Sequence, residues 1–374
     1  MKTKSRLKGL LKFQEPTDLF FSLYLNTQWK DEQQRERVRI FTKNALHTIN
    51  VAAYPPEVQE SLRADIQRIE TYVEALIKQT LQVELAGVAL FASYARDLFQ
   101  TYGSTVPFTN QCTLATHPYI AQLAAVGREY ENALVIMVDT ESARIFEMEW
   151  GEILSELDIE SEVPGRHKQG GWSQMRFQRH IQDHMDRHHK EVAEQVIRRF
   201  DQGNYANVIL YGQDRILASF RSFLPERIQE RIIAKAALDI TVPDTLVREK
   251  TLEILHQKKA QGEREAVTRL TETAQAHGLA VLGLLDTLEA LNKRVVAQLL
   301  VSQNFSRWGW RCPSCTLLGE QIPLGCPLCG RELKTVDLKE EMVWETFRQD
   351  GEVEFISDPS LLAHKGVGAF LRFR

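Results

Sequence analysis

Four of the five cysteines form two short pairs, Cys312-Pro-Ser-Cys315 and Cys326-Pro-Leu-Cys329, with ten residues between them. A Cys-x-x-Cys pair can turn two sulfurs onto one metal ion, and two such pairs complete the tetrahedral four-thiolate set that zinc takes. Four thiolates leave no open coordination position, so the expected zinc is structural. Cys112 stands apart. A second constellation occupies residues 165–180, GRHKQGGWSQMRFQRH. Gly170 and Gly171 lack Cβ atoms, so the backbone there can press close to a ligand. The plain alternative is a tight turn, with Ser173 capping the helix that follows. Arg166, Lys168 and Arg176 can neutralise phosphates, and Trp172 can stack on an unpaired base. Gln174 is neutral and cannot act as a general base, but its amide can orient a water, accepting with oxygen and donating with nitrogen.

The helix after this loop can be phased at 100° per residue. Phe177, Ile181, Met185, Val192, Val196 and Phe200 fall on one drifting stripe, the expected core side. Arg176, Arg179, Arg187 and Lys190 gather opposite, as a solvated face or as a track for phosphates, tempered by Asp183 and Asp186. Five of the ten histidines lie between 167 and 189. His180, His184 and His188 recur at i, i+4 and i+8 beside the apolar stripe. No glutamate lies between them as a metalloprotease helix requires, so they are expected as flank residues at the core boundary.

These residues need elements to position them. With 374 residues, 43% hydrophobic and 26% charged, the chain has room for two or three globular domains. Its net charge of −4 leaves nucleic-acid contact to local patches. No apolar run reaches the length of a membrane span. The opening MKTKSRLKGLLKF carries Lys2, Lys4, Arg6, Lys8 and Lys12 without the apolar segment of a secretory signal. It reads as a solvated tail, with RNA contact as the sharper option, and the paired cysteines then point to a reducing cytoplasm.

Strands are expected at 19–25 and 87–93, with helices at 31–49 and 56–79 between them. A second region has strands at 133–139, 143–150 and 152–162, the last two as antiparallel neighbours. It continues with a long helix from Ser173 to Phe200 and a buried strand at 207–212. Pro243 opens a long polar helix that Gly278 stops. Strands on both sides of a long helix suggest a mixed sheet with helices packed on it. From about 280 follow a helix, a strand at 294–302, the cysteine segment, the helix KEEMVWETFRQ, the strand EVEFI and a closing strand AFLRFR. No internal repeat and no phosphate-binding G-x-x-x-x-G-K-[ST] loop is present, so no nucleotide cofactor is expected.

The loop and its helix resemble the middle domain of the archaeo-eukaryotic class-1 peptide chain release factors, whose GGQ loop precedes a helix of the RFxR type. Here Arg176-Phe177-Gln178-Arg179 takes that place. FFSLYL and GVALF resemble the family's first-domain strands, and VIMVDTESARIF the strand pair that opens its middle domain. LEALNKRVVAQLLVS, the cysteine ribbon and the ending GVGAFLRFR resemble its third domain, so the likeness runs across roughly residues 15–374. Two features depart from the pattern. The glutamine follows the glycine pair only after Trp172 and Ser173, giving GGWSQ, which looks more like the bacterial Vms-like branch of ribosome quality-control factors. No NIKS-like segment is found in the first region, so stop-codon decoding is not expected.

The resemblance implies an α/β (α+β) chain in three release-factor-like domains with mixed sheets. These are 1–127, 128–278 with the GGWSQ loop and basic-faced helix, and 279–374 with a zinc ribbon at about 308–334. It implies a factor that meets the large ribosomal subunit, its rRNA and a peptidyl-tRNA, with no membrane role and no protein partner that the sequence names. Gly170, Gly171, Ser173 and Gln174 would form the hydrolytic tip, with Arg166, Lys168, Trp172, Arg176, Arg179, Arg187 and Lys190 on RNA. Two extra loop residues can displace the glutamine by up to about 7 Å. Cleavage near the tRNA 3′ end, with His167 as base beside Arg166 or Lys168, therefore stands beside ester hydrolysis. A non-catalytic rescue or hibernation factor filling the tRNA site, and a free RNA-binding protein acting away from ribosomes, are the remaining alternatives.

Overall fold

Apolar runs become strands here wherever both faces of a sheet are covered. The computed structural model describes residues 7, 9–13, 19–28, 32–78, 86–104, 106–129, 132–149, 151–160, 174–203 and 205–373. At 32, 128, 129, 174–181 and 362 the description is of backbone alone. Two compact units emerge: residues 1–128 with 260–374, and residues 129–259.

In the first unit, β1 (Phe20–Asn26) lies between β2 (Gly87–Ser93) and β4 (Gln111–Ala115), and β3 (Leu98–Ser104) closes the edge beyond β2, all antiparallel. Helices α1 (Glu32–His47) and α2 (Pro56–Lys78) cover one face. They set Val38, Leu46, Leu62, Ile69 and Val73 against Phe21, Leu23, Leu25, Val88 and Leu90. Helix α3 (Ala121–Glu129) follows. Of the basic amino terminus, Lys2, Lys4, Arg6 and Lys8 lie outside the described residues, and Lys12 is exposed over the Phe13 ring at 5.0 Å.

The second unit is a mixed five-stranded sheet in the order β7-β6-β5-β8-β9: β5 (Ala133–Val138), β6 (Ser142–Glu149), β7 (Glu152–Glu160), β8 (Asn207–Tyr211) and β9 (Ile232–Ala236). β5, β6 and β7 are antiparallel neighbours, while β5, β8 and β9 run parallel. A parallel pair needs a crossover, and α4 (Gln174–Gln202) supplies it between β5 and β8. Helices α5 (Asp214–Arg221) and α6 (Glu226–Gln229) lie on the α4 side, and α7 (Asp244–Gln275) sends Val247 and Leu255 onto the opposite face. Gly212 ends β8 at φ +151°, and a Cβ there would stand 2.4 Å from the Val138 carbonyl oxygen, so only glycine fits.

The grip on α4 is uneven. Val192, Ala193 and Val196 are buried among Leu134, Ile136, Val138, Ile145, Leu210, Leu217 and Phe220. Phe200 packs half-buried beside them. Among the described side chains the first buried one on α4 is His188; none from 182 to 187 is buried. The segment from Gln174 to His188 is about 21 Å of helix at 1.5 Å per residue. Its core-stripe members Phe177 and Ile181 lie outside the described side chains, and Met185 is half-buried.

One expectation is corrected here. His188 is not a boundary residue but lies in the core at 2% exposure, joined by His189 at 0%. Helix α5 overlaps this turn of α4, and the His189 ring meets Phe220 and Phe223 edge-on at 5.6 and 5.9 Å. His184 does sit half-buried at the margin, and the His180 side chain is outside the description.

The rest of the first unit builds a mixed sheet in the order β10-β16-β11-β15 from β10 (Ala280–Leu282), β11 (Val296–Ser302), β15 (Glu352–Ile356) and β16 (Val367–Leu371). Helices α8 (Leu284–Asn292) and α9 (Leu338–Arg348) belong to the same part of the chain. A three-stranded ribbon, β12 (Trp308–Arg311), β13 (Leu318–Gly319) and β14 (Lys334–Asp337), is inserted between β11 and α9. Among the described residues no helix is long and apolar enough to cross a membrane.

Burial lowers the pKa of both His188 and His189, so the folded unit holds them neutral. The unfolded chain titrates near pH 6.5. The linked stability is therefore full above that pH and is lost as pH falls through about 6.5 toward the lowered folded values, because the unfolded chain takes up protons first. The urea midpoint for residues 129–259 within the full chain should fall between about pH 7.5 and 5.5, and His189→Phe should reduce that fall. A pH-independent midpoint in the parent chain would contradict the assignment.

Candidate zinc ribbon and loop-bearing helix

The two cysteine knuckles fold alike. In the first, the Cys312 N–H donates to the Leu317 carbonyl at 2.9 Å and the Thr316 N–H to the Cys312 carbonyl at 3.0 Å. In the second, Cys326 donates to Arg331 at 2.8 Å and Gly330 to Cys326 at 2.8 Å. The residue after each second cysteine is left-handed, Thr316 at φ 62° and Gly330 at φ 72°. This is the turn that swings both sulfurs of a pair to one side. Sγ–Sγ separations are 3.5 Å for Cys312–Cys329, 3.4 Å for Cys315–Cys326 and 3.9 Å for Cys315–Cys329. All four sulfurs lie within 4.8 Å of one another. A tetrahedron with zinc–sulfur arms of 2.3 Å has edges of about 3.8 Å, so the four residues fit that ion. All four are free thiols, as is the half-buried Cys112.

The base of the ribbon is tied down by buried charge. Arg311, next to the first cysteine, donates to the Glu341 carboxylate on α9, and His117 Nε2 lies 3.1 Å from the other oxygen of the same group. The side chains of Glu341 and His117 are 3% and 5% exposed. Burial pushes the Glu341 carboxyl up, but His117 and Arg311 outweigh it and hold the group at about 2. For Glu340 burial outweighs the nearby Lys339 and raises the carboxyl to about 8, and it accepts the Ala121 N–H at the head of α3 at 2.9 Å. The His117 ring stacks on Trp344 at 4.5 Å. Sequence reading missed this network. Its one signal is that α9 buries Met342, Val343, Trp344 and Phe347 around its carboxylates, and buried carboxylates require partners.

The hydrolytic candidates divide at the start of α4. Arg166, His167, Lys168, Gly170, Gly171, Trp172 and Ser173 lie outside the described residues. Gln174 is the first described residue of α4, and it, Arg176 and Arg179 are described by backbone alone. Arg187 and Lys190 are exposed. The far end of the helix is fixed by charge as well as packing. Arg199 Nη1 donates to Glu147 on β6 at 2.7 Å, and the Tyr205 hydroxyl donates to the same carboxylate at 2.7 Å.

Residues 118–256, which span β5 to β9 and the loop, match the model of the Bacterial archaeo-eukaryotic release factor family 10. Over these residues the chain is similar to the archaeo-eukaryotic release factors. It is 26% identical over 292 residues to peptide chain release factor subunit 1 of Thermoplasma acidophilum, covering 71% of this chain and 69% of that one. It is 25% identical over 357 residues to the Methanocaldococcus jannaschii protein of the same name, covering 85% and 84%. Two solved structures also resemble it. They are an archaeal translation termination factor, aRF1 (16% identity, 100% and 97% coverage, TM-score 0.26), and Archaeoglobus fulgidus Pelota (15%, 77% and 79%, TM-score 0.34).

The metal question is decided by stoichiometry. Purified protein should carry one zinc per chain by metal analysis, and Cys312→Ser or Cys326→Ser should lose it. A parent chain that binds none at saturating zinc would refute the site.

Proposed function

We propose that this chain is a ribosome-associated release or rescue factor that frees nascent chains from peptidyl-tRNA on the large subunit, in the manner of the Vms-like branch. The reading rests on one observation, a helix held by the core from His188 onward whose first described residue, Gln174, directly follows Gly-Gly-Trp-Ser in the sequence. The family-model match over residues 118–256 and the names of the release-factor relatives support it. The division into 1–127, 128–278 and 279–374 goes with it, as does a cytoplasmic location where thiols stay reduced.

In this account the tip reaches the CCA end of the tRNA. Arg166, Lys168 and Arg176 neutralise phosphates on the way, with Arg179, Arg187 and Lys190 along the helix. Trp172 stacks on an unpaired base, and Gly170 and Gly171 let the backbone approach the ester. Gln174 orients a water through its amide. Water oxygen bonds to the acyl carbon, the ester bond to the ribose 3′ oxygen breaks, and that oxygen takes the proton. The gain is positional, since the amide neither accepts nor supplies the proton. Ser173 is assigned to the same tip by its place in the sequence. Zinc, held by Cys312, Cys315, Cys326 and Cys329, would fix the ribbon and take no part in the reaction.

The two residues between the glycine pair and Gln174 favour one second reading. If they carry the glutamine past the ester, His167 becomes the base for attack by an RNA 2′-hydroxyl on the adjacent phosphate. Purified protein added to stalled peptidyl-tRNA complexes should release the peptide, and Gln174→Ala should slow release by more than about tenfold. An intact CCA end on the recovered tRNA means ester hydrolysis; a shortened tRNA with a cyclic phosphate transfers the chemistry to His167. Binding to ribosomes without release under either readout would leave a non-catalytic factor and end the proposal.

A further inference from the structure

Three arginines far apart in sequence converge at a place that the proposed chemistry leaves unused. Arg294, Arg348 and Arg372, with Gln349, line an open cavity of about 310 Å³. Arg294 follows α8, Arg348 closes α9, and Arg372 follows β16. Their backbones are locked together. The Arg372 N–H donates to the Val295 carbonyl at 2.8 Å, the Arg294 N–H to Leu291 at 2.9 Å, and Gln349 Nε2 to Leu291 at 2.9 Å. Arg372 also donates from its guanidinium to the Gln349 carbonyl.

Helix dipoles explain part of this gathering, because cations are favoured at helix C-termini. Arg348 and Arg372 serve the end of α9 in that way. The end of α8, however, already carries Lys293, paired with Glu289 at 2.6 Å. Arg294 stands one residue further on at φ 61°, the left-handed position where a helix usually exits through glycine. This left-handed exit turns the chain from α8 into β11 and sets Arg294 at the rim of the cavity. The carboxylates do not balance the cluster. Glu345 reaches Arg348 Nε at 3.2 Å, but among the described residues no ion pair is made by Arg294 or Arg372.

We propose that Arg294, Arg348 and Arg372 form a phosphate-binding site that takes a backbone phosphate of RNA. The guanidinium fork matches phosphate oxygens in geometry and charge. The lining holds no aromatic face for a base, and Arg294 and Arg372 are exposed, which suits a phosphodiester on a polymer better than a free nucleotide. The anion site stands on this geometry; its assignment to RNA rests on the ribosomal reading above.

The test measures fluorescence anisotropy of a short labelled single-stranded RNA across a salt series, with the full-length zinc-loaded protein. Arg294→Gln should weaken binding about fivefold, Arg294→Gln with Arg372→Gln further, and each lost contact should make the log–log salt slope shallower by about 0.7. Lys43→Gln, an exposed lysine elsewhere, should change binding less than about twofold. Tripolyphosphate should compete with the RNA on the parent chain and not on the double variant. The proposal is overturned if the arginine variants behave like Lys43→Gln. It also fails if they lose tripolyphosphate but not RNA, which marks a free-phosphate site, or if polyglutamate competes as well as tripolyphosphate, which marks an acidic protein partner. Gln174→Ala should retain this binding, so failure of peptide release and failure of the arginine site are read separately.

Discussion

What the loop can do depends on how firmly the second half of α4 is held. Val192 and Val196 are fully buried, and burial of each valine is worth about 1.5–3 kcal/mol at most. Arg199 and Glu147 close the far end across the sheet. This grip matters beyond its own energy. An isolated helix of the fourteen residues 174–187 would be marginal in water, because nucleation is the costly step. Continuing from a packed helix, the same residues inherit a nucleus and need only propagation. Gln174, at the head of α4, then lies about 21 Å along the helix from the first buried turn among the described side chains. The proposed release chemistry asks for a long helix anchored at its far end, and α4 is anchored in that way.

The ribbon is secured by a different means. Its sulfurs fit one zinc ion, and its first strand runs into Arg311, whose partner Glu341 sits on α9 with His117 on its other side. A buried carboxylate held between an arginine and a histidine is costly to disturb, since removing one partner strands the others in a poorly solvated place. Cys312 and Glu341 are therefore coupled through one residue. Loss of metal should be felt at α9, which places Arg348 at the arginine cluster. The metal site and the anion site thus share a foundation within one unit.

Much of the scaffold was readable in the chain. ALVIMV and NVILY are buried on both faces and announced themselves as unbroken apolar runs. The cysteine spacing told its own story because ligand geometry is local. The half-buried strands did not stand out. Ile232–Ala236, Leu98–Ser104 and Gln111–Ala115 each depend on a neighbouring strand to exist, and their burial patterns mix covered and open positions. His188 was misplaced because helical phase gives a direction and not what lies in that direction; α5 fills it. The Arg311–Glu341–His117 network and the three-arginine cavity join residues from distant segments, and no window on the sequence holds their members together. Arg187 and Lys190 are solvent-facing as the phase implied, while the tip itself rests on its residue types and its family likeness.

The most direct measurement is a crosslink from the tip. A photoreactive side chain at position 172, on protein bound to large subunits that carry an end-labelled peptidyl-tRNA, should attach to the 3′-terminal nucleotides of that tRNA. Attachment only to the protein itself, or to tRNA regions remote from the CCA end, would contradict the account of a helix that delivers Gln174 to the ester.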